Sequence, residues 1–274
     1  MRAEIKNTFN FNDGKGPVPA KRHINPNGSE GGWVADSASV ALSAFIEKDA
    51  LVFGNAKIYG DASVSGDALI YGNAQVSGNA QVFGNARVWG DARVWGNAIV
   101  YGNAIVYGNA IVSVNAWIYG NACVSDNALI YDNAEVSGNA WVYGDAWVYG
   151  NASICGTAQA YGGAKVFEDA QAYGGAKVFE DARVSGGAKV FEDARVSGNA
   201  WVFGNAWVWG DAEVFGKTWV SGKAKISGKA KIFGKAKIKG DSKIKKKIFQ
   251  FDFNYSFIED LEEEKIKEKE LENS

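Results

Sequence analysis

Histidine is nearly absent from this chain. His23 stands alone, and the two cysteines, Cys123 and Cys155, lie 32 residues apart with no motif around them. Two such cysteines do not make a disulfide framework. No apolar run approaches the length of a membrane-spanning helix. Met1 to Phe11 carry Arg2, Glu4 and Lys6 without an apolar core run, so they are read as lacking a signal peptide, with cytoplasmic placement as the default. A non-standard secretion route or packaging in a virion would leave no mark in such a sequence. The net charge of −2 gives the whole chain no nucleic-acid signature. Proline is scarce, at 3 residues, while aromatics are plentiful, which argues against disorder.

What the chain has in abundance is periodic. Every sixth residue from Val34 to Ile244 is Val or Ile, with Ala160 and Ala172 the only exceptions. A second phase from Ala38 to Ser242 is Ala throughout, except Thr218 and Ser242. Between the two phases recur pairs such as Gly54-Asn55, Gly60-Asp61 and Gly90-Asp91. No residue is inserted between Val34 and Ile244 to break the register.

In the unit Ala56-Lys57-Ile58-Tyr59-Gly60-Asp61, the two-residue period of a strand turns Ala56 and Ile58 to one side and Lys57 and Tyr59 to the other. The Gly-Asp pair then bends the chain, because both residue types tolerate left-handed backbone angles. Helix is excluded, since a period of six does not fit 3.6 and each glycine would cost about 1 kcal/mol in a helix. A meander of such short strands would leave faces and edges unsatisfied. A parallel coil, in which each strand pairs with the one a turn above, satisfies both.

The pattern Val/Ile-x-Gly-Asn/Asp-Ala-x over residues 33–247 resembles the hexapeptide repeat of left-handed β-helix proteins, familiar from bacterial acyltransferases. The resemblance implies an all-β, single-stranded left-handed parallel β-helix, a triangular prism in which three hexapeptides make a turn, with about 12 coils. Handedness comes from the resemblance alone, as left-handed crossovers break the usual rule. The block Gly28-Ser29-Glu30-Gly31-Gly32-Trp33-Val34 also looks like the entry to the first coil in a poorly characterised bacterial and phage-associated hexapeptide group, which carries no accepted chemistry.

Three segments follow. Residues 1–32, with Phe9, Phe11 and the prolines Pro17, Pro19 and Pro26, are expected to form an irregular N-terminal cap. Residues 33–247 form the β-helix. Residues 248–274 are expected to add a last strand at Ile248 to Phe253 and a short charged helix over Glu259 to Leu271. Charge is polarised at this end. Twelve lysines and one acid, Asp241, lie between Lys217 and Lys247, against nine acids and three lysines from Ile248 to Ser274. The acidic tail folding back on the basic coils is one reading. Another makes Lys223, Lys229, Lys231 and Lys237 a surface for an anionic partner, and a third leaves the lysines as a solvated face.

Outward positions recur every three hexapeptides. The column from Phe53 to Phe233 is aromatic at nine of eleven positions and the other two columns at six of ten each, which makes the first face the stickiest. Around residues 99–149 most positions before a Val or Ile are apolar as well, as at Ile99, Ile105, Ile111, Trp117, Leu129, Trp141 and Trp147. An apolar surface of that kind usually meets something. Tyr107, Trp117, Tyr119, Trp141, Tyr143, Trp147 and Tyr149 are therefore the candidate interaction surface. Three readings stand: rings that only stabilise the ladder, self-association of prisms, with trimers implied by the acyltransferase resemblance, and docking of a protein or carbohydrate surface.

Hexapeptide acyltransferases use a catalytic histidine and an extruded loop, and γ-class carbonic anhydrases on the same scaffold use three histidines for a metal. A single histidine excludes that triad. His23, beside Arg22, reads as an ordinary surface or cap residue, because a general base needs a partner and a cleft. The Asn and Asp corners read as turn formers, not calcium ligands, and only Thr157 and Thr218 lie in the repeat, which argues against ice binding. No catalytic, cofactor-binding or metal residue is assigned. The sequence points to a non-enzymatic structural or interaction module, possible as a scaffold, spacer or phage component. An acyltransferase-like enzyme or its degenerate descendant is the alternative.

Overall fold

The computed structural model describes residues 7–245 and the backbone of 248–251. The expected helix over Glu259 to Leu271 lies outside the described residues, as do Met1 to Lys6. The chain divides into two compact units, Met1–Asp145 and Ala146–Ser274. The division falls inside the uniform repeat, and each unit is a left-handed parallel β-solenoid with three sheets. The two count about 12 turns between them.

The first unit opens with β1 (Thr8–Asn10), β2 (Pro17–Ile24) and β3 (Glu30–Ala35). These pair antiparallel, with Phe9 opposite Val18 and Lys21 opposite Val34. The segment expected to be irregular is therefore a meander. Its prolines are compatible with pairing because Pro17 opens β2 and Pro19 stands where β3 has ended. The Pro19 carbonyl still accepts from the Asp36 amide at 2.9 Å.

From β3 onward every pairing is parallel. Trp33 faces Leu51, and the first face continues through Leu69, Arg87, Ile105, Cys123 and Trp141. The second face starts at Ser39–Val40 and the third at Phe45–Ile46, each with a strand of the next coil beside it. The second unit has three parallel faces of its own, the first from Gln159, the second from Trp147 and the third from Ser153.

Strands of two residues have no independent stability. They persist because each amide donates to a carbonyl one coil on, as Arg87 does to Ala104 at 2.9 Å and Lys165 to Ala182 at 2.9 Å. Beneath the ladder lies a dry column. Val88, Val106 and Val142 are fully buried, as are Ala86, Ala104 and Ala140. A branched side chain at mid-strand beside a methyl at the corner fills a narrow interior without voids. At Ala160 and Ala172 a methyl replaces the branched residue, and both remain fully buried.

Glycine is required for different reasons at two places. At the corners it takes the left-handed conformation, as Gly102 does with φ of 72°, which side chains with a Cβ adopt at a cost. Gly31 and Gly32 are needed instead for close approach. A Cβ on either would collide with carbonyl oxygens, those of Ile46 and Ala50 respectively.

Val106→Asp places an unpaired carboxylate in this column. It is expected to destabilise the first unit by more than about 4 kcal/mol. Thermal unfolding followed by circular dichroism checks this, and a wild-type melting profile would contradict the placement of Val106.

Candidate interaction faces

The rings that follow each strand do not project freely. They stack on one another, one coil apart. On the first face Phe11, Phe53, Tyr71, Trp89 and Tyr107 form a run with centroid spacings of 4.9, 4.9, 5.7 and 4.6 Å. Phe11 thus carries the cap's contribution into the column. Phe83, Tyr101 and Tyr119 stack at 5.0 Å on the third face. In the second unit Tyr149 stacks on Phe167, Tyr161 on Phe179, and Phe191 between Tyr173 and Trp209. Such stacks are each worth about 0.5–1.5 kcal/mol beyond the area they bury.

Burial within these columns pushes the phenols of Tyr71, Tyr101, Tyr161 and Tyr173 above their ordinary value. Arg87 partly opposes this at Tyr71, while Tyr119 and Glu135 add to it at Tyr101. The thiol of Cys123 is likewise pushed up by burial, against a hydrogen bond with Tyr107. Register turns Cys123 outward, yet the residue is buried, with Ile105 and Trp141 in register on either side.

The rings that open a strand differ. Trp117 is 43% exposed and Trp141 50% exposed. Of the seven sequence-predicted interaction residues, Tyr107, Trp141 and Tyr143 belong to the first face of the first unit, and Trp117 and Tyr119 to its third face. Trp147 and Tyr149 belong to the second face of the second unit. The seven are not one patch. Tyr107, Tyr119 and Tyr149 are occupied in ring columns, and Tyr119 also donates to Glu135 at 3.4 Å.

The four predicted lysines are scattered in the same way. Lys231 pairs with Glu213 at 3.2 Å on the first face, and the Lys237 ammonium lies 5.3 Å from the Trp219 ring on the second. Lys223 and Lys229 are exposed at corners.

His23 is buried in the cap, with Nε2 2.9 Å from the carbonyl oxygen of Ala44. Beside it, the Asn25 side chain accepts from the Ile46 amide at 2.8 Å and donates to the Ile46 carbonyl at 3.1 Å. Together they pair the otherwise open edge of the third face, which is a structural role. Among the described residues no group of three or more His, Cys, Asp or Glu could hold a metal ion, and no helix is long and apolar enough to cross a membrane.

The corners correct one expectation. From Gly54 to Gly240, left-handed φ belongs to the first residue of each corner pair, not to the residue after it. The Asn instead builds amide ladders. Asn85, Asn103, Asn121 and Asn139 are linked at 3.0, 2.9 and 2.9 Å, each Nδ2 donating to the Oδ1 one coil on. A carboxylate accepts but cannot donate, and Asp91 accordingly stands at the receiving end of the run from Asn55 through Asn73.

At Asp126, Glu168 and Glu180, where an acid replaces the corner glycine, the carboxylate takes an amide of the next coil. Gly144 donates to Asp126 at 3.0 Å and Gly198 to Glu180 at 2.6 Å. The pairs Glu168-Asp169, Glu180-Asp181 and Glu192-Asp193 recur every 12 residues, while a coil takes 18. Each pair therefore falls at a different corner and none stacks on another. Gly163 and Gly175 stand where a Cβ would come within 2.8 Å of Asp181 and 2.6 Å of Asp193.

Two consequences can be measured. Asn103→Ala removes two ladder bonds and Asn55→Ala one, so urea unfolding should show a loss of about 1 kcal/mol and roughly half of that, respectively. Raised phenol pKa values mean that the folded state holds these protons longer than the unfolded chain. Their contribution is complete below the ordinary phenol value of about 10 and is lost as pH rises through the folded values. The melting temperature should fall above that pH, and less so in Tyr71→Phe.

The family model described as the YdcK beta solenoid repeat matches residues 80–96, 92–107, 98–114 and 194–210. No curated protein matches the chain. Among solved structures, a Francisella novicida UDP-N-acetylglucosamine acyltransferase is similar at 18% identity, covering 61% of this chain and 61% of that one, with a TM-score of 0.28. The alignment thus spans less than two thirds of that enzyme. The six-residue register and the three sheets of each unit give the chain the fold of a left-handed parallel β-helix, and the four matched segments are similar to β-solenoid repeats.

Proposed function

We propose that the chain is a non-enzymatic structural or interaction module whose solenoid units present aromatic faces to further copies or to a partner, as a scaffold or spacer in the cytoplasm or in a phage particle. The observation that carries this reading is the exposure of Trp117 and Trp141. Stacking accounts for the rings after each strand. It does not account for these two indoles, which open strands, are about half exposed and make no ring contact among the described residues. Ile99 lies in register beside Trp117 on its face. Indoles left about half exposed forgo on the order of 1 kcal/mol each that burying the rest would return. Self-association through the first-unit faces recovers it. The cap role of His23 supports the non-enzymatic part, since its ring is already committed to the Ala44 carbonyl.

Sedimentation equilibrium at low micromolar concentration should reveal an oligomer, with a trimer favoured, that dissociates in Trp117→Ala/Trp141→Ala. A monomer at all concentrations would refute self-association. Turnover of an acyl-CoA or a sugar-nucleotide acyl acceptor by the wild-type chain would refute the non-enzymatic reading.

A further inference from the structure

The second face of the second unit carries a single file of aromatic and cationic side chains. Trp147, Lys165, Arg183, Trp201, Trp219 and Lys237 are paired in register, each beside the next. At about 4.8 Å per strand the row extends on the order of 24 Å along the face. All six occupy the outward position before a core valine or isoleucine. The cations already associate with the rings: the Lys165 ammonium lies 4.5 Å from the Trp147 centroid and that of Lys237 5.3 Å from Trp219.

Charge around the row is graded. Near Lys165 and Arg183 stand the acidic corner pairs, but Glu168 and Glu180 are turned to backbone amides, those of Gly186 and Gly198. Around Trp219 stand the corner lysines Lys217, Lys223 and Lys235 and the outward Lys239, all exposed, with Asp241 the acid nearby. Trp219 itself is 40% exposed. The geometry points to a binding track for single-stranded nucleic acid, with bases stacking on Trp219 and Trp201 and phosphates meeting the lysines and Arg183. This assignment rests on reading the outward faces as docking surfaces and is independent of self-association.

The chemistry favours this occupant. Aromatic rings interleaved with cations are what an unstructured polyanion with flat π-faces requires. A neutral chain would gain nothing from the lysines. A duplex keeps its bases stacked inside, and a flat sheet face offers neither helix nor ribbon to its major groove.

The test uses the full chain and a fluorescein-labelled oligo-dT of about 20 nucleotides, read by anisotropy at about 50 and 200 mM salt. Binding should weaken about tenfold in Trp219→Ala. The slope of log affinity against log salt should fall by about 1 in Arg183→Gln. Trp95→Ala, on an exposed ring of the first unit, should bind as wild type. No binding at the lower salt, unchanged affinity in Trp219→Ala, equal affinity for duplex, or binding of alginate in place of the oligonucleotide would each overturn the proposal. None of these outcomes bears on the oligomeric state.

Discussion

The backbone ladder between successive coils and the dry column beneath it act as one constraint. A two-residue strand offers too few hydrogen bonds to hold itself, and an interior one valine wide has no second layer to lean on. Each needs the other. The ladder fixes the coil spacing at which Val106 meets Val88 and Val124, and the packed column keeps the ladder's bonds out of water. Every other feature is tolerated only so far as it leaves this spacing unchanged.

The corners show how narrow that tolerance is. Glycine at the bend is a conformational requirement, and where Asp126, Glu168, Glu180 and Glu192 accept the same left-handed φ, a carboxylate bond into the next coil is available to offset the strain at Asp126, Glu168 and Glu180. The 12-residue spacing of the acidic pairs against the 18-residue coil separates like charges that an 18-residue spacing would have stacked at about 4.8 Å. Asn ladders use the same spacing to opposite effect, turning stacked amides into a continuous donor-acceptor chain. At the open end, His23 and Asn25 take the place of a missing strand, which blunts an edge that would otherwise template pairing.

Much of this was legible in the sequence. The unbroken Val/Ile and Ala phases dictate strand direction, the buried column and the three faces, because side-chain period in a strand is fixed by covalent geometry. The meander over residues 8–35 was not legible, since Pro17 and Pro19 suggest irregularity until the end of β3 is known. Nor was the division of labour within each Gly-Asn pair: both residue types tolerate left-handed angles, and only the stacking of coils reveals that glycine bends while asparagine bonds. The predicted interaction residues were located on the correct side of the sheet, but sequence position alone does not say that Tyr107 and Tyr119 spend their rings on neighbours while Trp117 and Trp141 remain free to meet a partner. The row from Trp147 to Lys237 becomes visible only when residues 18 apart are placed side by side.

The account depends on residues 105 and 106 facing opposite ways. Single cysteines at each position, in a chain with Cys123 and Cys155 replaced by serine, can be titrated with a thiol reagent under native conditions. The thiol at position 105 should react readily and that at 106 only on unfolding. Equal reactivity at the two positions would contradict the dry interior on which the structure rests.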